Sequence, residues 1–184
     1  ACIPCIFALI FQASHQDAMT QVIGFAIFGL SLVLLYGAST IYHTLYVSEA
    51  KTILLRRIDH IMIFVLIAGT YTPICLVSLA GPWGWTMLAL IWILAIGGAV
   101  MKIFWIQAPR WLSTSLYIIM GWLAVIAFVP LQRAVSWDGV GLLLAGGLAY
   151  TVGAIIYGLK KPNLPLAGFG FHEIFHIFVM IGSA

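Results

Sequence analysis

A chain of 184 residues that is 64 % hydrophobic and only 7 % charged is no water-soluble domain, in which about a quarter of the residues carry charge. Its formal net charge of +3 comes from eight Lys and Arg in short connections, where they set membrane topology. That excludes nucleic acid as a partner and leaves membrane lipids. Cys2, Cys5 and Cys75 sit in apolar stretches and give no disulfide framework, and C-I-P-C lacks the βαβ context of a redox motif.

A membrane-crossing helix takes about 20 apolar residues, and clusters of Gly, Pro and charge divide the chain into such blocks. The first, about 1 to 13, is apolar from Ala1 without a basic lead-in and reads as a partial span. Further spans are predicted at about 20 to 46, 58 to 80, 84 to 105, 111 to 130, 139 to 159 and 167 to 184. Within the third, G-T-Y-T-P predicts a kink at Pro73, with the Thr70 and Thr72 hydroxyls satisfying freed carbonyls. The expected fold is all-α: a polytopic seven-helix transmembrane bundle over residues 1–184, a single domain with its first and last helices trimmed.

The connection after the second span carries Lys51, Arg56 and Arg57, that after the fourth Lys102 and Arg110, and that after the sixth Lys160 and Lys161. The alternate connections hold only Arg133. The positive-inside rule makes the basic side cytoplasmic, so the N-terminus is expected inside and the C-terminus outside. This is the reverse of the G-protein-coupled receptor orientation. Trp83, Trp85 and Trp137 then belong to the outer aromatic belt, and Tyr46, Trp105 and Trp111 to the inner one.

Ionisable residues inside spans cost about 2.5 to 3.5 kcal/mol each on insertion scales, so each asks for a reason. They are His43, Asp59, His60, His172, Glu173 and His176. His15, Asp17, Glu49 and Asp138 fall in loops, where solvation suffices. Alternating span directions put His43, Asp59, His172 and His176 at one depth near the cytoplasmic face. His172 and His176 are four apart on one helical face, and Ser39 and His43 repeat that spacing. Three neutral imidazoles are a known zinc shell with an open fourth position, although iron, cobalt and nickel accept the same donors. Asp59 would orient or deprotonate a water there, with Ser39 assisting by hydrogen bonding. His60, about 100° around the helix from Asp59, reads as a structural or interfacial residue.

H-E-I-F-H at 172–176 also spells the zincin signature. A zincin takes its third ligand downstream, but only apolar or small residues follow His176, so an intramembrane metalloprotease would have to draw that ligand from upstream, where His43 is the candidate; Glu173 could equally face the interface near Lys160 and Lys161.

The stretches YGASTIYHTLY, RRIDHIMIFVLIAGTYTP, MGWLAVIAFVPL and FHEIFHIFVMIGSA together resemble the hemolysin III family of bacterial membrane proteins. That family is related to the progestin and adipoQ receptor family and, more distantly, to alkaline ceramidases. The resemblance implies seven helices in the inner (plasma) membrane with the N-terminus inside. It implies one zinc held by His43, His172 and His176, Asp59 hydrogen-bonded to a water at the metal, and Ser39 beside it. The pattern needs only H-x-x-x-H, which demotes Glu173 as a participant in the chemistry.

Three functions are compatible with these residues. The first is a zinc-dependent membrane hydrolase, ceramidase-like, acting on a lipid amide or ester near the cytoplasmic face. The second is a hemolysin or channel-forming, membrane-permeabilising protein, for which apolar spans supply little polar lining. The third is a lipid-sensing receptor or regulator with a structural zinc. Substrate identity and oligomeric state are not written in the sequence.

Overall fold

The computed structural model describes residues 19–79, 81–161 and 170–183, and every regular element among them is helical. In chain order these are α1 (Met19–Thr44), α2 (Glu49–Pro73) running on into a π-helical turn (Ile74–Ser78), α3 (Pro82–Phe104) and α4 (Arg110–Trp122) with a 3-10 turn (Leu123–Val125). They continue with α5 (Phe128–Ala134), α6 (Trp137–Leu159) and α7 (Phe171–Ser183). The predicted segment at about 1 to 13, with Cys2, Cys5, His15 and Asp17, lies outside the described residues. Among the described residues four helices are long and apolar enough to cross a bilayer: α1, α2 with its π turn, α3 and α6. The bent pair α4 and α5 makes a fifth if it is one span, and α7 is a shorter apolar helix of 13 residues. The elements gather into two compact units that divide after Gln107.

In the first unit α1 and α2 pack along a seam of small residues. Lipid tails are as apolar as leucine, so close backbone approach has to supply the attraction between such helices. A Cβ at Gly24 would stand 2.9 Å from the Pro73 Cα, and one at Gly69 would overlap the Ser31 hydroxyl. These pairs, with Ser39 against Asp59, run in opposite order along the two helices, which are therefore antiparallel. α3 buries one stripe, Gly84, Met87, Ile91, Ala95, Gly98 and Lys102, at the three- and four-residue spacing of a single helical face. Phe64 fills the space over Gly98, and Trp92 Nε1 donates to Thr72 Oγ1 at 3.2 Å. Gly81 opens α3 at φ 103°, a backbone that side chains disfavour, and Pro82 follows at the first turn, where its missing N–H costs nothing.

Two boundaries differ from the sequence reading. α2 starts at Glu49, so Lys51, Arg56 and Arg57 stand on helix rather than in a connection. Glu, Ala, Lys, Leu and Arg are good helix formers, and no Gly or Pro interrupts them before Gly69. The span predicted at about 111 to 130 is broken: α4 ends at Trp122, and α5 leaves at 57° to it. The N–H groups of Ile126 and Ala127 there reach back only three residues, to Leu123 and Ala124, at 3.0 and 3.1 Å. At Pro73 the predicted irregularity is the π turn, in which Leu79 N–H reaches back five residues to the Ile74 carbonyl at 2.9 Å. Thr72 and Thr70 donate to the carbonyls of Ala68 (2.9 Å) and Ile67 (2.7 Å) rather than to that of Gly69, the one proline deprives.

In the second unit α6 and α7 are antiparallel and in close contact. A Cβ at Gly146 would stand 3.1 Å from the Gly182 carbonyl oxygen, and one at Gly153 would stand 2.8 Å from the Phe178 Cβ. The Tyr150 and Ser183 hydroxyls meet at 2.6 Å. Ser136 caps α6, its hydroxyl accepting from Gly139 N–H at 3.2 Å. Trp122 Nε1 donates to Thr151 Oγ1 at 2.9 Å, which anchors the end of α4 on α6. Tyr46, Trp83, Trp85, Trp105, Trp111 and Trp137 are all exposed at or beside helix ends, as aromatic belts require.

Candidate metal centre

Ser39, His43 and Asp59 belong to the first unit and His172 and His176 to the second, and each group is built by its own helix pair. On α1, Ser39 and His43 lie one turn apart on one face. Ser39 is buried in the seam, its hydroxyl bonded to the Asp59 carboxyl, while His43 is exposed and within electrostatic reach of that carboxyl. The His43 ring stands edge-on to Tyr42, with centroids 4.8 Å apart. Asp59 is only 1 % exposed.

Burying a carboxylate is costly unless its oxygens are hydrogen-bonded. Ser39 serves one of them. The other, Oδ1, is buried and has no hydrogen-bond partner among the described residues. A buried acceptor left open has the capacity to take one further O–H or N–H donor. His60, the next residue, is half-buried on the adjacent face.

In the second unit the Nε2 atoms of His172 and His176 are 3.1 Å apart, with ring centroids at 4.8 Å. That is hydrogen-bonding distance between the two rings, and it is a few tenths of an ångström short of the spacing at which two nitrogens would share one metal ion, so the pair could hold an ion after a small movement. Tyr157, buried on α6, holds the first ring from the side, with centroids 5.8 Å apart, and it also packs on Phe175 at 5.2 Å. Gly153, one turn away on α6, lets α7 come close enough for that contact. Tyr157 was not singled out from sequence; a large aromatic four residues after a glycine in an apolar helix was the available signal.

Glu173 has a local task. Its Oε2 accepts from the Gly170 backbone N–H at 2.8 Å, while the Gly170 carbonyl takes the N–H of Ile174 at 3.2 Å. Gly170 is thus the residue that caps α7, and Glu173 sits third in the helix, completing half of a capping box and complementing the helix dipole. Glu173→Ala is therefore expected to destabilise α7 by about 0.5–2 kcal/mol and to leave metal content unchanged. Thermal unfolding together with elemental analysis checks both; loss of the metal would return the glutamate to the site.

The architecture is that of an all-helical integral membrane protein whose spans carry isolated polar and histidine groups on otherwise apolar helices. The family described as "Haemolysin-III related" matches residues 1–184, and the chain belongs to that family. It is 45 % identical over 182 residues to Hemolysin-3 of Bacillus cereus, covering 99 % of this chain and 80 % of the relative. The Hemolysin-3 homolog of Bacillus subtilis (strain 168) is also 45 % identical, over 97 % of this chain and 80 % of its own. A more distant similarity, 26 % identity over 86 % of this chain and 65 % of the relative, links it to the human Monocyte to macrophage differentiation factor. No solved structure matches the chain.

Proposed function

We propose that this protein is a zinc-dependent hydrolase of a lipid amide or ester, with His43, His172 and His176 as the metal ligands. The observation that carries the reading is the 3.1 Å separation of the His172 and His176 Nε2 atoms, two donors a small movement away from sharing one ion. His43 is added as third ligand from its depth in the sequence, one turn beyond the Ser39–Asp59 pair. Zinc, when bound, supplies a lowered pKa for coordinated water, to about 7, and polarisation of a substrate carbonyl. Asp59 takes the proton at Oδ1 and delivers it to the leaving group, and Ser39 fixes the orientation of the carboxyl through its hydrogen bond. Topology completes the proposal: seven spans in the bacterial plasma membrane, N-terminus inside and C-terminus outside, with the lipid entering from the inner leaflet. The bias of the basic residues supports it, since seven of the eight fall on one side under this arrangement.

The test is metal content and turnover on the same preparation. Purified protein is expected to hold one zinc, to cleave a lipid amide or ester, to lose turnover on chelation and to regain it when zinc is restored. Turnover that ignores the chelator sinks the proposal.

The Bacillus cereus relative is named a hemolysin, which favours membrane permeabilisation as the second reading. Dye release from vesicles separates the two: release that persists after His172→Ala and His176→Ala speaks for a pore, and release that needs a cleavable lipid speaks for hydrolysis.

A further inference from the structure

The seam between α2 and α3 ends in a cationic layer that the candidate metal centre does not use. Phe64 of α2 packs over Gly98 of α3, and Thr72 meets Trp92 further along, so the two helices are antiparallel. Arg57 lies seven residues before Phe64, two turns away on the same face, and Lys102 lies four residues after Gly98, one turn away. Both steps lead toward the same end of the seam. Lys102 is only 4 % exposed there, and the charge that acts on its ammonium is another cation, Arg56. Arg57 is half-buried, and its Nε is enclosed with no hydrogen-bond acceptor among the described residues.

Three positive charges are thus gathered where burial and mutual repulsion both oppose them. Setting topology does not require this, because exposed Lys51 on the same helix serves that purpose without losing its hydration. Nor do the acids described in this unit neutralise the layer: Asp59 faces Ser39 of α1, and Glu49 is exposed about two turns away on α2. A buried cation without a counter-charge is strongly destabilising, so an anion from outside the chain accounts for the arrangement.

We propose that Arg56, Arg57 and Lys102 form a binding site for a net-negative phosphate group at the basic end of the α2–α3 seam. Guanidinium groups engage phosphate oxygens in pairs, and the lysine adds a point charge at the bottom of the site. Ile103 and Phe104, the latter 84 % exposed, flank Lys102 with apolar surface on which an acyl chain can lie. The same phosphate chemistry is offered by an anionic lipid headgroup and by soluble phosphate, and basic pockets between membrane helices are known to take the former.

The full chain is purified into nanodiscs of phosphatidylcholine, with or without phosphatidylglycerol, and separately with inorganic phosphate added. Thermal unfolding is followed by tryptophan fluorescence. One of the two anions is expected to raise the wild-type midpoint by several degrees, and Lys102→Met and Arg57→Gln are each expected to lose at least half of the rise. In phosphatidylcholine alone, Lys102→Met should match or exceed the wild type, because the uncompensated charge is gone. A rise with phosphatidylglycerol only assigns the site to a lipid headgroup; a rise with inorganic phosphate assigns it to a soluble anion. No rise with either, or equal rises in the wild type and Arg57→Gln, would overturn the proposal even if Lys102→Met failed to fold.

Discussion

Replacing His176 by alanine is expected to leave the purified protein without zinc and without lipid turnover, whereas Asp59→Asn keeps the zinc and loses the turnover. The difference follows from the two kinds of position. His176 offers a ring nitrogen 3.1 Å from that of His172, and without it a single donor remains on α7. On the proposed reading Asp59 would act through Oδ1 instead, and asparagine keeps the shape while losing the ability to take a proton. General acid–base catalysis contributes about 10²- to 10⁴-fold, which sets the fall expected in turnover for Asp59→Asn. If Asp59 also orients the site, zinc affinity should weaken by about 10- to 100-fold at most. Elemental analysis and turnover at saturating lipid, with circular dichroism to confirm the helical fold, measure all of this. One zinc retained in His176→Ala would remove that residue from the ligand set, and full turnover in Asp59→Asn would remove the base.

Gly97→Ala and Gly98→Ala, one residue apart on α3, are expected to shift stability in opposite directions. A Cβ at Gly97 meets nothing within 4 Å, so alanine there gains helix propensity worth about 0.8–1.0 kcal/mol. A Cβ at Gly98 would collide with the Phe64 ring, which is 0 % exposed and has nowhere to retreat. Overpacking of this kind costs about 1–3 kcal/mol. Unfolding in mixed micelles should order the proteins Gly97→Ala, wild type, Gly98→Ala, and adding Phe64→Leu should recover part of the Gly98→Ala loss. A neutral Gly98→Ala would mean that α2 and α3 do not meet there.

What the sequence made legible depended on how local the physics was. The lengths of α1, α3 and α6 follow from apolar runs bounded by loops, and the His172–His176 pair follows from four-residue spacing alone. Bringing His43 and Asp59 to equal depth needed one more step, the alternation of helix direction, whereas the bond between Ser39 and Asp59 was not foreseen and came only with the packing of α1 on α2. The start of α2 was missed because its charges were weighed as loop signals while their helix propensity was not. The break after Trp122 was not legible, since G-W-L-A-V-I-A-F contains no proline and the anchoring partner, Thr151, lies on another helix. The role of Glu173 was present in the sequence as G-x-x-E before an apolar run, hidden by its coincidence with a protease signature. Lys102 looked like an ordinary connection charge, and only packing places it inside the seam.

The length of α2 has a consequence for the supply of water. From Glu49 to Ser78 the helix and its π turn run 30 residues, about 45 Å at 1.5 Å each, against a hydrocarbon thickness of about 30 Å. Counted back from Ser78, the hydrocarbon is used up after about 20 residues, at the turn that holds Ile58 and Asp59. By length the carboxylate therefore falls at the edge of the hydrocarbon, and on the proposed hydrolytic reading its water and protons would have only the thickness of the α1–α2 seam to cross to reach the aqueous phase. No hydrated conduit through the bilayer is needed, which is why the rest of α2 can afford to be Ile63, Phe64, Leu66 and Ala68 on its buried side.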